Sequence, residues 1–150
     1  MICTKTNRVR CRVTQRYLLD SSILVNLTKR DSACRDKLLT SIENGIVVHH
    51  CEPVVMEVIS GARPGEDFIM QSRLDSFSSL PHDLHSDYRR AGMMYRDLRR
   101  KGITIRNVID CLIAVIAMSH ENVTLIHDDE DFERIAQHYE LKQERWVRAA

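Results

Sequence analysis

Aromatic residues make up only 5% of the 150-residue sequence, so aliphatic side chains must fill most of any core. Long hydrophobic runs are also missing. The longest runs from Cys111 to Met118, and a membrane-spanning helix needs roughly 20 apolar residues. A spanning segment is excluded, and no membrane partner is expected. Glycine and proline are scarce, at five and three residues, and the apolar positions recur regularly, which excludes a disordered or collagen-like chain. The five cysteines are odd in number and form no C-x-x-C pair. Neither a disulfide framework nor a structural zinc site is expected. Cys51 and Cys111 lie in apolar stretches and read as small buried hydrophobes. Reduced thiols fit a cytoplasmic location. The N-terminal basic stretch has no apolar core after it, so it does not read as a secretory signal. No glycine-rich phosphate loop is present, and no Ser-His-Asp or Cys-His arrangement finds support.

What remains is a chain with 43% hydrophobic and 29% charged residues, enough for one domain with one core. Its formal charge of +1 is unevenly spread. Residues 1–16 carry five bases and no acid, whereas residues 17–150 hold 17 bases against 21 acids. Residues 1–16 therefore read as a basic, flexible extension, and residues 17–150 as a single, mildly acidic domain. Net charge alone does not point to nucleic acid.

Along the domain, apolar strand-like runs alternate with helical patterns. Tyr17 to Leu19 reads as a strand that stops at Asp20, and Ile23, Leu24, Val25 and Leu27 resume as a helix. Asp31 and Ser32 can cap a second helix through about Asn44, closed by Gly45. Ile46 to Cys51 is a β-branched strand. Pro53 suits the first turn of the next helix, which Gly61 ends and in which Glu57 is the only acid. A weaker helix covers about Glu66 to Asp75, and Phe77 to Leu80 reads as an edge strand. Ser86 is expected to cap a helix whose Tyr88, Ala91, Tyr95 and Leu98 share one face. Ile105, Val108, Ile109, Leu112 and Ile116 stripe the helix that follows. Val123 to Ile126 is a buried strand, and a short helix around Phe132 and Ile135 comes last. Apolar strands separated by helices imply an α/β fold with a mainly parallel sheet.

In such a sheet, ligands bind beyond the carboxyl ends of the strands. Asp20 ends the first strand, and Asp128, Asp129 and Asp131 follow a later one. Asp110 opens a very apolar helix, and Glu57 lies beside Val58 and Ile59. Acids from four distant segments converging on one sheet edge would repel each other unless a divalent cation neutralised them. Such a hard-oxygen site suits Mg²⁺, or Mn²⁺, and metal-assisted phosphoryl chemistry.

The segments YLLDSSILVNL, PVVMEVISGA and GITIRNVIDCLIAVIAMSHENVTLIHDDEDFERIA resemble successive signatures of the PIN-domain family. More narrowly, they resemble the VapC-type toxins of type II toxin–antitoxin systems. The likeness covers about residues 17–142 and is most specific in the last segment. It implies a three-layer α/β/α fold with an acidic pocket at the strand ends. Carried over residue by residue, it implies Asp20, Glu57, Asp110 and Asp129 as catalytic, metal-binding acids. Ser22 would orient Asp20, and Asp131 would be a reserve acid that caps the last helix. Asp128 and Glu130 depart from the family pattern, and so does the basic extension before Tyr17. The resemblance further implies a Mg²⁺-dependent endoribonuclease that cuts structured, tRNA-like RNA. It implies a homodimer silenced by a cognate antitoxin protein.

For the RNA substrate, the basic helix offers Arg96, Arg99 and Arg100 as phosphate contacts, beside Arg89, Arg90, Lys101 and Arg106. His49 and His50 are adjacent on a strand and must face opposite sides, so they are not a ligand pair. His127 reads as structural. The rival from another class is a catalytically idle PIN-like module that binds RNA or protein. A phosphoreceiver-like domain would want a lysine after a late strand, where His127-Asp128-Asp129 stands instead.

Overall fold

The computed structural model describes residues 13–28 and 33–147. Most of the basic extension therefore lies outside the described residues, as does the Asp31–Ser32 cap. Arg16 already belongs to the first strand. Five parallel strands are found: β1 (Arg16–Leu19), β2 (Val47–His50), β3 (Ser78–Ser79), β4 (Val123–His127) and β5 (Gln143–Arg145). The helices are α1 (Ser21–Asn26), α2 (Ala33–Glu43), α3 (Glu52–Gly61), α4 (Asp67–Leu74), α5 (Ser86–Arg100), α6 (Val108–Met118) and α7 (Glu130–Ala136).

The strand order is β3-β2-β1-β4-β5. From β1 the chain winds outward through β2 to β3, then returns to β4 and winds the other way to β5. Right-handed crossovers place α1 to α4 on one face and α5 to α7 on the other. The helix contacts agree: α1 meets α3 and α3 meets α4, while α6 meets α5 and α7. The winding reverses between β1 and β4. That gap, beyond the strands' carboxyl ends, is where such a sheet opens a binding crevice.

The central strands are apolar because helices cover both faces: Leu18, Leu19, Leu125 and Ile126 are wholly buried. α6 is buried from Asp110 to Ala117, as expected of a helix that is apolar all round. The edge strands β3 and β5 are short and polar, which blunts them against further pairing.

Four readings need correction. β5 is not visible as a strand in the sequence, because Gln143-Glu144-Arg145 carries no apolar signal. α5 is capped by Asp83, whose Oδ1 accepts from the amides of His85 (2.9 Å) and Ser86 (2.7 Å), rather than by Ser86. Its inward face is Asp87, Ala91, Met94 and Leu98, and Tyr88 is half exposed. Glu57 is also not the only acid of α3, since Glu52 opens that helix and accepts from Ser79 Oγ at 3.0 Å.

Candidate metal centre

β1 delivers Asp20 to the winding reversal, and the residue then caps α1. Its Oδ2 accepts from the amide of Ser22 (3.1 Å) and from the Ser22 hydroxyl (2.6 Å). Ser22 Oγ in turn accepts from the amide of Asp128 at 3.1 Å. One hydroxyl thus ties the ends of β1 and β4 together and fixes the Asp20 carboxylate. On the neighbouring helix, Glu57 Oε2 accepts from the Ser21 hydroxyl at 2.9 Å, which orients it from α1. Asn107 caps α6 by accepting from the Ile109 amide at 3.0 Å, and this sets Asp110 in the first turn.

These acids share one cleft of about 860 Å³, lined by Asp20, Ser22, Glu57, Asp110 and Asp129, with Asp128 beside them. Asp110 is the least compensated. It is only 8% exposed, and its carboxylate accepts no hydrogen bond from the described residues. Burial, and then the charges of Asp20, Asp129 and Glu57, push it up to about 8. Burial also raises Asp20, against the hydrogen bonds from Ser22. Glu57 is raised by burial, opposed by Ser21 and reinforced by Asp20 and Asp129.

Asp129 caps α7, accepting from the Asp131 amide at 2.9 Å, so the capping role expected of Asp131 belongs to its neighbour. Asp129 also pairs with Arg106. Asp131 does not line the cleft. It is wholly buried and accepts from Arg106 N (2.9 Å), Arg106 Nε (3.0 Å) and Arg134 Nη1 (2.6 Å). Burial would raise Asp131, but these donors hold it below its ordinary value. Asp128 pairs with Arg145 from β5 at 3.1 Å. His127 is buried and structural. Its Nδ1 accepts from the Asp129 amide (3.1 Å), which leaves Nε2–H to donate to Gln143 Oε1 (2.6 Å).

The basic residues are placed differently from the sequence reading. Arg96 pairs with Asp97 at 3.1 Å, Arg100 with Asp97 at 4.0 Å, and Arg99 lies over the Tyr95 ring. None of the three lines the cleft. Among the described residues, Arg63 and Arg106 are the cations that do. Arg63 follows the end of α3, and no periodicity in the sequence marks it. Arg106 lies four residues before Asp110, just ahead of the Asn107 cap, and was grouped with the basic helix.

Among the described residues, no group of three or more His, Cys, Asp or Glu side chains is placed so as to hold a metal ion. The donor set nevertheless fits a hard divalent cation. It is all oxygen, drawn from four segments, and includes a buried, unpartnered carboxylate whose charge its neighbours oppose.

Comparison with known proteins points the same way. Residues 17–137 match the family model of the PIN domain. Over 87 residues the chain is 41% identical to the ribonuclease VapC11 of Mycobacterium tuberculosis. That match takes in 57% of this chain and 64% of the relative, so it spans less than two thirds of that protein's length. The VapBC2 complex of Rickettsia felis, bound to a DNA fragment from its promoter, has a chain of similar structure. Its TM-score is 0.67 at 26% identity, covering 89% of this chain and all of that one. DNA-bound VapBC of Salmonella typhimurium shares the fold, with a TM-score of 0.68 at 18% identity over 89% of this chain and 100% of the other. With the model match covering most of its length and its acids gathered where the sheet winding reverses, the chain belongs to the PIN-domain family.

Proposed function

We propose that this chain is a divalent-cation-dependent endoribonuclease toxin, of the VapC kind, that hydrolyses phosphodiesters in structured, tRNA-like RNA. The observation that carries this reading is the cleft of Asp20, Glu57, Asp110 and Asp129, with Asp110 buried and unpartnered. The relatives named as ribonucleases and the VapBC complexes of like structure support it.

Asp20, Glu57, Asp110 and Asp129 would hold Mg²⁺ or Mn²⁺. When bound, the ion supplies Lewis-acid charge at the scissile phosphate and makes water nucleophilic at neutral pH. Ser22 and Ser21 orient Asp20 and Glu57 through their hydroxyls. α6 brings Asp110 up from the core, where low dielectric strengthens its interaction with a cation. The cytoplasmic location, the homodimer and the cognate antitoxin belong to the same proposal.

The pairing of Asp129 with Arg106 favours a second reading, a catalytically idle module whose fourth acid is already neutralised. Expression separates the two. Induction of the chain alone in a bacterial host is expected to arrest growth, with rescue by co-expression of a cognate antitoxin. Normal growth with soluble, folded protein supports the idle module.

A further inference from the structure

An RNA strand entering this cleft meets a cluster of carboxylates, so a phosphate needs a fixed cation beside them. Arg106 is so fixed. Its backbone N–H and its Nε both donate to one oxygen of Asp131, and a terminal nitrogen reaches Asp129. Its other terminal nitrogen has no partner among the described residues, and the side chain is 65% exposed at the cleft wall. Burying a carboxylate as fully as Asp131 is costly unless its lone pairs are satisfied. Here Arg106 from one side and Arg134 from the other satisfy it. The result is a guanidinium held through Nε and one terminal nitrogen, with the other terminal nitrogen left for a ligand at the cleft wall. Its side-chain entropy is largely lost before any ligand arrives.

We propose that Arg106 binds an RNA phosphate beside the acidic cleft, and that Asp131 is a positioning residue that aims it. The inference rests on the ribonuclease reading and adds to it a specific substrate contact. It moves the phosphate grip from Arg96, Arg99 and Arg100 to a residue of the cleft itself. Arg106 is suited to planar recognition of a phosphate, which lysine matches only as a point charge.

The test uses the full chain, Arg106→Gln, Arg106→Lys, Asp131→Asn and the double variant Arg106→Gln/Asp131→Asn. Binding of a fluorescent tRNA-like stem–loop RNA is titrated against salt in EDTA, and cleavage of the same RNA is followed with Mn²⁺. Arg106→Gln is expected to weaken binding about tenfold and to make the log–log salt slope less negative by about 0.7, the loss of one phosphate contact. Arg106→Lys should restore the slope but not the full cleavage rate. Asp131→Asn should bind RNA within about twofold of wild type yet cleave at least about tenfold more slowly. The double variant should cleave no more slowly than Arg106→Gln, because the two residues act as one unit. Additive losses that follow the melting temperature would make Asp131 merely structural and overturn its positioning role. If Asp131→Asn does not fold, the two Arg106 variants decide the matter. A wild type that cleaves RNA while Arg106→Gln matches it in slope and rate overturns this inference alone. A wild type that neither binds nor cleaves RNA overturns both this inference and the ribonuclease reading.

Discussion

With its carboxyl pushed up to about 8 by burial and by the charges of Asp20, Asp129 and Glu57, Asp110 destabilises the metal-free protein whenever it ionises. Its folded value lies above the ordinary 3.8. The associated stability is fully present below about pH 4 and is lost as pH rises through about 8. Asp110→Asn removes this dependence. The variant should melt close to wild type near pH 4 and above it near pH 9. Allowing for solvent screening, the gain should be about 2 kcal/mol, or about 4–8 °C for a domain of this size. Thermal melts in EDTA across that range check this, and a wild type that gains stability toward pH 9 relative to the variant contradicts it. Asp131 has the opposite character. Its arginines hold it ionised, so it stabilises the fold above the ordinary aspartate range and loses that effect as pH falls below it. Two carboxylates, one in the first turn of α6 and one in the first turn of α7, thus have opposed electrostatic roles.

At the level of the helix, α6 places its charge, Asp110, at one end and seven buried apolar residues behind it. Asn107 makes that possible by satisfying the Ile109 amide. Asn107→Ala should cost about 1 kcal/mol in urea unfolding. It should reduce RNA cleavage by more than that loss of stability explains, because Asp110 sits in the turn that Asn107 starts. An unchanged cleavage rate would show that Asp110 does not depend on this cap. α6 and β4 were legible in the sequence because an eight-residue apolar run and the strand-forming segment Val123-Thr124-Leu125-Ile126 admit few alternatives. Asp20, Glu57 and Asp110 were legible for the converse reason, as charges set among core residues. What escaped the reading was polar and long-range. β5 is defined by pairing with β4, and its arginine by an ion pair with Asp128. The cap of α5 comes from Asp83, three residues before the helix. The pairing of Arg96 and Arg100 with Asp97 likewise carries no periodic signal in the sequence.

For the molecule as a whole, the strand order gathers acids far apart in sequence. β1 and β4 are more than 100 residues apart, with Arg16 paired to Val123, yet adjacent, and their carboxyl ends face the gap where the winding reverses. The α3 and α6 helices, which meet across that end, add Glu57 and Asp110. A cation that binds only this folded arrangement stabilises it by mass action, so Mg²⁺ or Mn²⁺ should raise the melting temperature of wild type by several degrees at saturating concentration. The shift should be much smaller in Asp20→Asn or Asp110→Asn, and equal shifts in all three would place the ion elsewhere. The central claim is that these carboxylates are the catalytic centre of a metal-dependent nuclease. Its most direct test is an RNA cleavage assay of wild type, Asp20→Asn and Asp110→Asn, each shown to be folded, with Mn²⁺ and with excess EDTA. Wild type is expected to cleave with Mn²⁺ only, and neither variant to cleave at all. Full activity in either variant, or wild-type cleavage that persists in EDTA, would contradict that claim.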